Sequence, residues 1–220
     1  MKVNTRVYRS PARAAAAQMT RSRIVAAARE LFVRDGYPAT TIAEVARRAE
    51  VAPDTVYAVF GGKLALLKSV MDTVVGGDEQ DVALLDRPGP QAMRSEPTQR
   101  RQVAMLAAGL AEQLERISPL DAVLRGAATV DAGAAELRAD LQLRQRREAM
   151  LTCVSWIAAR GPLRAGLTEA DAGAMVWTLA SPEVYAMYTD VWGWSRDRYQ
   201  AWLLETLLAL LLPSVESISA

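Results

Sequence analysis

Between residues 41 and 63 the chain gathers side chains that can grip an anionic oxygen or a base edge: the hydroxyls of Thr41, Thr55 and Tyr57, the Asp54 carboxylate and the Lys63 ammonium. Hydroxyl and ammonium groups donate to phosphate or carboxylate oxygens, and an ionised carboxylate only accepts. Acid–base catalysis has little to work with. The sequence contains no histidine, which removes the commonest general base, metal ligand and pH switch together. Its single cysteine, Cys153, lies in an apolar helical stretch and reads as a small core hydrophobe in a reducing, cytoplasmic setting. There is no Gly-rich phosphate loop and no Cys/His metal spacing, and Asp78, Glu79 and Asp81 sit in a polar loop. The expectation is therefore no enzyme, no metal and no cofactor.

The elements that must position these groups are helices. Ile24, Ala27, Ala28, Leu31 and Phe32 recur at the helical period, and Asp35-Gly36 ends that helix, because glycine can take the left-handed backbone of a C-terminus. Thr41 followed by Glu44 has capping-box spacing, and Ile42, Val45, Ala46 and Ala49 form the inner face of a second helix. Pro53 suits the first turn of a third, where its missing N–H has no intrahelical partner. Pro53-Asp54-Thr55-Val56-Tyr57 is short enough to be presented whole to a partner, with Val56 and Phe60 turned inward. Gly61-Gly62 ends the third helix and Lys63 begins a fourth. Two helices joined by a tight turn are the layout of a helix-turn-helix.

Residues 20–71 resemble the DNA-binding domain of the TetR family of transcriptional regulators. The resemblance rests on Phe32, Gly36-Tyr37, Thr40-Thr41, Val45-Ala46, Ala49, Val51, Thr55-Val56-Tyr57, Phe60, Lys63 and Leu67, in the family's order and spacing. It implies double-stranded operator DNA as a partner, read by the third helix. Thr41, Tyr57 and Lys63 are then expected at phosphates, and Pro53, Asp54 and Thr55 open the helix that faces base edges. The chain departs from the pattern at Glu50, where glycine is common, at Ala52, where a capping serine or threonine is common, and at Val59 and Gly61.

Charge agrees with this division. Residues 1–68 hold 12 Lys/Arg against 5 Asp/Glu, and residues 69–220 hold 14 against 20, although the whole chain is nearly neutral. A basic first third on an acidic remainder suits a chain that meets phosphate only through its beginning. Residues 1–19 read as a basic arm, in which Arg6, Arg9 and Arg13 surround Tyr8. Such an arm can enter a minor groove, or its alanines can extend the first helix. No hydrophobic signal segment is visible, and the leucine-rich stretch from Ala201 to Leu212 is too short for a membrane span.

The second part reads as all-α as well. Residues 72–96 are expected to be a helix end and a linking loop, since Gly76-Gly77 and Pro88-Gly89-Pro90 favour turns. Residues 97–213 form the larger helical domain. Val103, Leu106, Ala107, Leu110, Leu114 and Ile117 make one stripe, and Met150, Cys153, Val154 and Ile157 make another, late in a long helix over 134–160. By the same resemblance this domain is expected to enclose a small apolar effector and to form a homodimer. Met105, Met150, Trp156, Trp177 and Tyr185 are the lining candidates, and no carboxylate looks buried enough to select a charged ligand. Leu204, Leu208 and Leu211, on a surplus apolar face of the last helix, are the dimer candidates. The competing readings are a helical protein-interaction module that keeps the fold without binding DNA and, with least support, an enzyme.

Overall fold

The computed structural model describes residues 11–80 and 82–214, and among them there are helices and no strand. Arg6, Tyr8 and Arg9 of the basic arm lie outside the described residues. The chain divides into two compact units, Met1–Val70 and Met71–Ala220, and the division falls within a helix.

In the first unit α1 spans Pro11–Ala39, α2 Ile42–Arg48, α3 Pro53–Phe60, and α4 starts at Lys63 and runs to Gly76. Residues 11–19, read as arm, are the first turns of α1, as an alanine-rich run favours. Ile24, Ala28, Leu31, Phe32, Val45, Ala46, Val56, Leu66 and Leu67 are buried together as its core. Gly36 takes φ 78 near the end of α1. Thr41 caps α2 by accepting the Glu44 N–H at 3.1 Å. The capping box is only half made, because the Glu44 carboxylate turns instead to Arg47, at 2.6 Å.

The link from α2 to α3 is a Schellman turn. The Val51 N–H donates to Ala46 O at 3.0 Å and the Glu50 N–H to Arg47 O at 3.3 Å, which satisfies the last carbonyls of α2. That geometry needs a left-handed residue, and Glu50 supplies it with φ 56, the only positive φ outside glycine among the described residues. Glycine takes this conformation without strain and other residues do so at a cost. Ala52 then precedes Pro53 without any side-chain cap.

Lys63 closes the unit. Its Nζ donates to the carbonyls of Tyr37 (2.9 Å), Thr40 (3.0 Å) and Pro38 (3.5 Å) and lies 4.4 Å from the centroid of the Tyr37 ring. Tyr37 stacks in turn on Phe32. All three ammonium donors thus serve the end of α1 and the residue that leads on to α2.

In the second unit α4 ends at Gly76, α5 spans Pro88–Ser95, α6 Gln99–Ala127, α7 Ala132–Ala139, α8 Arg146–Ala158, α9 Glu169–Leu179, α10 Pro182–Ala186 and α11 Arg196–Leu211. The long helix expected over 134–160 is widened at Asp140–Gln145 into a π-helical turn. Helix α5 occupies part of the expected linking loop. Pro88 and Pro90 are tolerated there because they fall in its first turn, and Met93 anchors it in the core. The α6 stripe packs against α11, α10, α5 and α8, while α8 runs along α9.

Asp121 corrects the expectation that no carboxylate is buried: it lies in the α6 stripe with no exposure to solvent. Burial pushes its pKa up, and nearby Glu183 pushes the same way, against Arg138 and Arg125. Gln142, in the π-helical turn, donates to Asp121 Oδ1 at 3.0 Å, and Oδ2 has no hydrogen-bond partner among the described residues.

Two stability measurements follow. Glu50→Gly is expected to raise stability by up to about 1 kcal/mol by relieving the left-handed backbone; a thermal melt with an unchanged or lower midpoint would remove the strain argument. Lys63→Met is expected to lower stability by about 2 kcal/mol, the usual range for hydrogen bonds to a charged donor. Urea unfolding with no loss would show that the three carbonyls do not need the ammonium.

Candidate nucleic-acid interface and small-molecule cavity

Helix α3 has two sides. Val56 and Phe60 are buried, whereas Pro53, Asp54, Tyr57, Ala58 and Val59 are exposed and Thr55 is half-buried. Tyr57 keeps 52% of its surface open, a large figure for an aromatic side chain with nothing to anchor it. The outward side therefore carries a carboxylate, a threonine hydroxyl and a phenol in under two turns. Thr41, just before α2, is exposed as well, and its oxygen is engaged as the α2 cap while its hydroxyl hydrogen can still be donated.

The expectation for Lys63 is corrected. Its ammonium is spent on three carbonyls inside the unit, so its role in this structure is to fasten α4. The N–H groups of the first turn of α4, beginning at Lys63, are backbone donors of the kind that bind phosphate at helix N-termini.

Several arginines of this unit hold carboxylates. Arg34 meets Asp35 through two bonds of 2.7 Å, Arg47 meets Glu44 at 2.6 and 3.2 Å, and Arg48 meets Glu30 at 2.7 and 3.4 Å. These forked pairs hold the carboxyls of Asp35 and Glu44 below their usual range, chiefly through the arginine hydrogen bonds. Sequence composition counts these cations but says nothing about their partners.

The second unit contains a cavity of about 530 Å³, bounded by the end of α4, the turn at Leu84–Asp86, and helices α5, α6 and α8. Met93, Met105, Leu106, Leu110, Met150 and Cys153 form its apolar wall. Small residues on facing helices, Ala108 and Gly109 on α6 and Ala149 on α8, make the room. Burial holds the Cys153 thiol protonated, with its pKa pushed up to about 12. At the rim Arg87 pairs with Asp78 at 2.8 Å and Arg116 with Glu112 at 2.7 Å.

Of the five expected lining residues, Met105 and Met150 come together here and the other three do not. Trp156 is half-buried with Arg94 over its ring. Trp177 donates from Nε1 to Gln142 O at 3.0 Å under the Arg146 guanidinium, and Arg146 also donates to the Trp177 carbonyl. Burial lowers the Arg146 pKa to about 10. Tyr185 packs edge-on against Tyr199, with ring centroids 4.9 Å apart. Tyr185 is packed in solid core, whereas Trp156 is half-buried and Trp177 borders a separate open depression with Leu143, Leu151 and Ala174, distinctions that periodicity does not make. Met93 was missed because its helix reads as a loop, and Cys153 because a lone thiol reads as packing.

On α11 the inner row is Tyr199, Leu203, Leu207 and Leu211, all buried. Leu211 is thus core, which corrects its placement on the dimer face. Leu204 and Leu208 are half-buried at the edge of that core. Leu208 borders an open depression with Leu163, Ala209, Leu212 and Pro213.

Residues 24–70 match the model of the bacterial regulatory proteins of the tetR family. The chain is 47% identical over 58 residues to the uncharacterized HTH-type transcriptional regulator TtgW of Pseudomonas putida, covering 26% of this chain and 43% of that protein. It is 45% identical over 58 residues to the HTH-type transcriptional regulator SrpR of Pseudomonas putida, covering 26% of this chain and 27% of that one. The matched stretch is thus less than half the length of either relative. The fold extends further. NalD of Pseudomonas aeruginosa, described as the secondary repressor of the MexAB-OprM multidrug efflux pump, superposes with a TM-score of 0.61 at 20% identity, covering 89% of this chain and 98% of that one. With the Schellman turn and the two-sided α3, residues 24–70 thus have both the sequence and the local geometry that resemble the tetR family of bacterial regulatory proteins.

Proposed function

We propose that the chain is a transcriptional repressor that binds operator DNA as a homodimer and releases it when a small molecule occupies the second unit. The observation that carries the DNA reading is the exposed side of α3, set by a tight turn after α2 and free of any apolar partner. A helix of this kind reads base edges in the major groove. In this reading Asp54 accepts from cytosine N4 and Thr55 meets a thymine methyl, while Pro53 starts the helix without a free donor. Thr41 and Tyr57 donate to phosphates, which position the domain without reading sequence. The first-turn N–H groups of α4 join them.

A second copy supplies the second recognition helix, and a two-fold pair suits half-sites about 34–36 Å apart. The apolar edge formed by Leu204 and Leu208 is the surface assigned to that pairing. Repression follows the description of the structural relative NalD, and release by a ligand rests on the cavity of about 530 Å³. No residue is assigned a catalytic role, and among the described residues no helix is long and apolar enough to cross a membrane. If the α3 surface served protein contacts instead, the purified chain would show no retention of duplex DNA at moderate salt.

Selection from a random duplex pool is expected to return a palindrome. On that sequence Tyr57→Phe should weaken binding to all duplexes alike and leave the salt slope nearly unchanged, because a neutral hydroxyl releases no counterion from the phosphate it meets, whereas Asp54→Ala should change the preferred base. The opposite assignment of effects would overturn these roles.

Leu208→Glu places a carboxylate in the assigned interface, where an unpaired charge costs several kcal/mol. Sedimentation is expected to show a folded monomer that no longer binds the palindrome; an intact dimer would move the interface to another face.

A further inference from the structure

The cavity in the second unit has a chemistry narrow enough to name its ligand, given the reading above that it holds an effector. Three thioethers, from Met93, Met105 and Met150, and the Cys153 thiol line one space, and no aromatic side chain is among the lining residues. Methionine sulfur is soft and polarisable, and it makes favourable contacts with aromatic rings, commonly at the ring edge. Its unbranched chain also repacks around rings of different outline. A wall of this composition lacks the partner that a ligand's ring would provide.

The charges of the rim are matched. They belong to Asp78, Arg87, Glu112 and Arg116, and they form two ion pairs, Arg87–Asp78 at 2.8 Å and Arg116–Glu112 at 2.7 Å. Arg87 also donates to Gln80 O at 3.0 Å, and Arg116 donates from Nε to Val74 O at 3.4 Å. The lining amide of Gln113 donates to Val75 O at 3.0 Å. The charges of the described lining residues therefore sum to zero, and a ligand carboxylate or ammonium would have to compete with a pair for its counterion. An uncharged ligand leaves both pairs in place. Breaking the Arg87–Asp78 pair would strand the Arg87 guanidinium, whose side chain is only 12% exposed, at an apolar wall, where an unpaired charge is costly. Arg87 Nε is buried without a hydrogen-bond partner among the described residues, a donor that suits a neutral carbonyl and asks for no second charge.

We propose that this cavity takes neutral molecules built on an aromatic ring system, held by the sulfur wall of α5, α6 and α8 beneath the two ion pairs. The volume, about 530 Å³, falls within the usual range for small-molecule sites, about 300–1,000 Å³. Acidic and basic analogues are rejected by the rim, and saturated analogues of the same size lose the ring-to-sulfur contacts.

The test uses the full chain with four matched probes: 2-acetylnaphthalene, 2-naphthoate, 2-naphthylmethylammonium and the saturated 2-acetyldecalin. Calorimetry is expected to rank the neutral aromatic ketone at least about tenfold above the acid and the amine, and about threefold above its saturated counterpart. With methionine methyl groups labelled with carbon-13, the ketone should move the signals of Met93, Met105 and Met150 and leave those of the exposed Met19 and Met187 in place. Met105→Leu with Met150→Leu should abolish the preference for the aromatic ring while keeping the preference for the neutral probe. Equal or tighter binding of the acid or amine would overturn the charge argument, and equal binding of the decalin would overturn the sulfur argument. Failure of all four to bind, or signals moving only elsewhere, would overturn the site. Binding of the ketone with no change in operator affinity would leave this assignment intact and remove the effector role. Release of DNA by the acid alone would do the reverse.

Discussion

The Lys63 ammonium is the fastening on which the first unit depends. Helix ends leave carbonyls that need donors, and the end of α1 with the residue after it presents three of them, from Tyr37, Pro38 and Thr40, to one side chain. A single charged group thereby fixes the exit of α1, the approach to α2 and the first residue of α4. Thr40 adds to this knot by donating its hydroxyl to Gly36 O at 2.8 Å. Helix α3 has eight residues, too few to be stable alone, and it holds its place because its neighbours on both sides are fixed in this way. Whatever the outward side of α3 recognises, its orientation is inherited from a lysine that does not lie on it.

Much of this unit is legible in the sequence because its determinants are local. Thr41 reaches three residues ahead, Pro53 acts on its own turn, and Glu50 must be left-handed because the Schellman turn allows nothing else. These are short-range rules of backbone chemistry, and no tertiary knowledge is needed to apply them. Lys63 is the counter-example. A cation near the start of a helix in a basic segment reads as a phosphate ligand, and only the folded chain reveals acceptors more than twenty residues back. Prolines 88 and 90 misled for a related reason: proline suits a loop and the first turn of a helix equally well.

In the second unit the helices and the core stripes are legible, but the distinction between filled and empty space is not. Met105 and Tyr185 both sit at core-facing positions, yet one lines a cavity and the other packs edge-on against Tyr199. Periodicity reports which side chains leave water, and the volume left between them depends on several helices at once. Asp121 shows the same blindness for charge. Its folded pKa is raised, so the stability it contributes is fully present below the ordinary carboxylate range and is lost as pH rises through the raised value. Gln142 can bond it only because the π-helical turn carries that residue back toward α6, a register that no count of apolar residues anticipates.

The forked arginine pairs of the first unit alter how it meets a polyanion. A lone cation attracts through a slowly decaying field, whereas a cation joined to a carboxylate is a dipole whose field fades within a short distance. Arg34, Arg47 and Arg48 are therefore nearly silent at long range. At contact a phosphate either uses the guanidinium N–H groups that the fork leaves over, with the carboxylate close by, or evicts Asp35, Glu44 or Glu30, and either way a carboxylate faces the same backbone. Each such exchange is close to neutral in energy unless the duplex lies in a register that separates the two like charges. If the first unit binds duplex DNA as proposed, its own acids would hold down affinity for arbitrary sequence, and residues that never touch a base would contribute to discrimination.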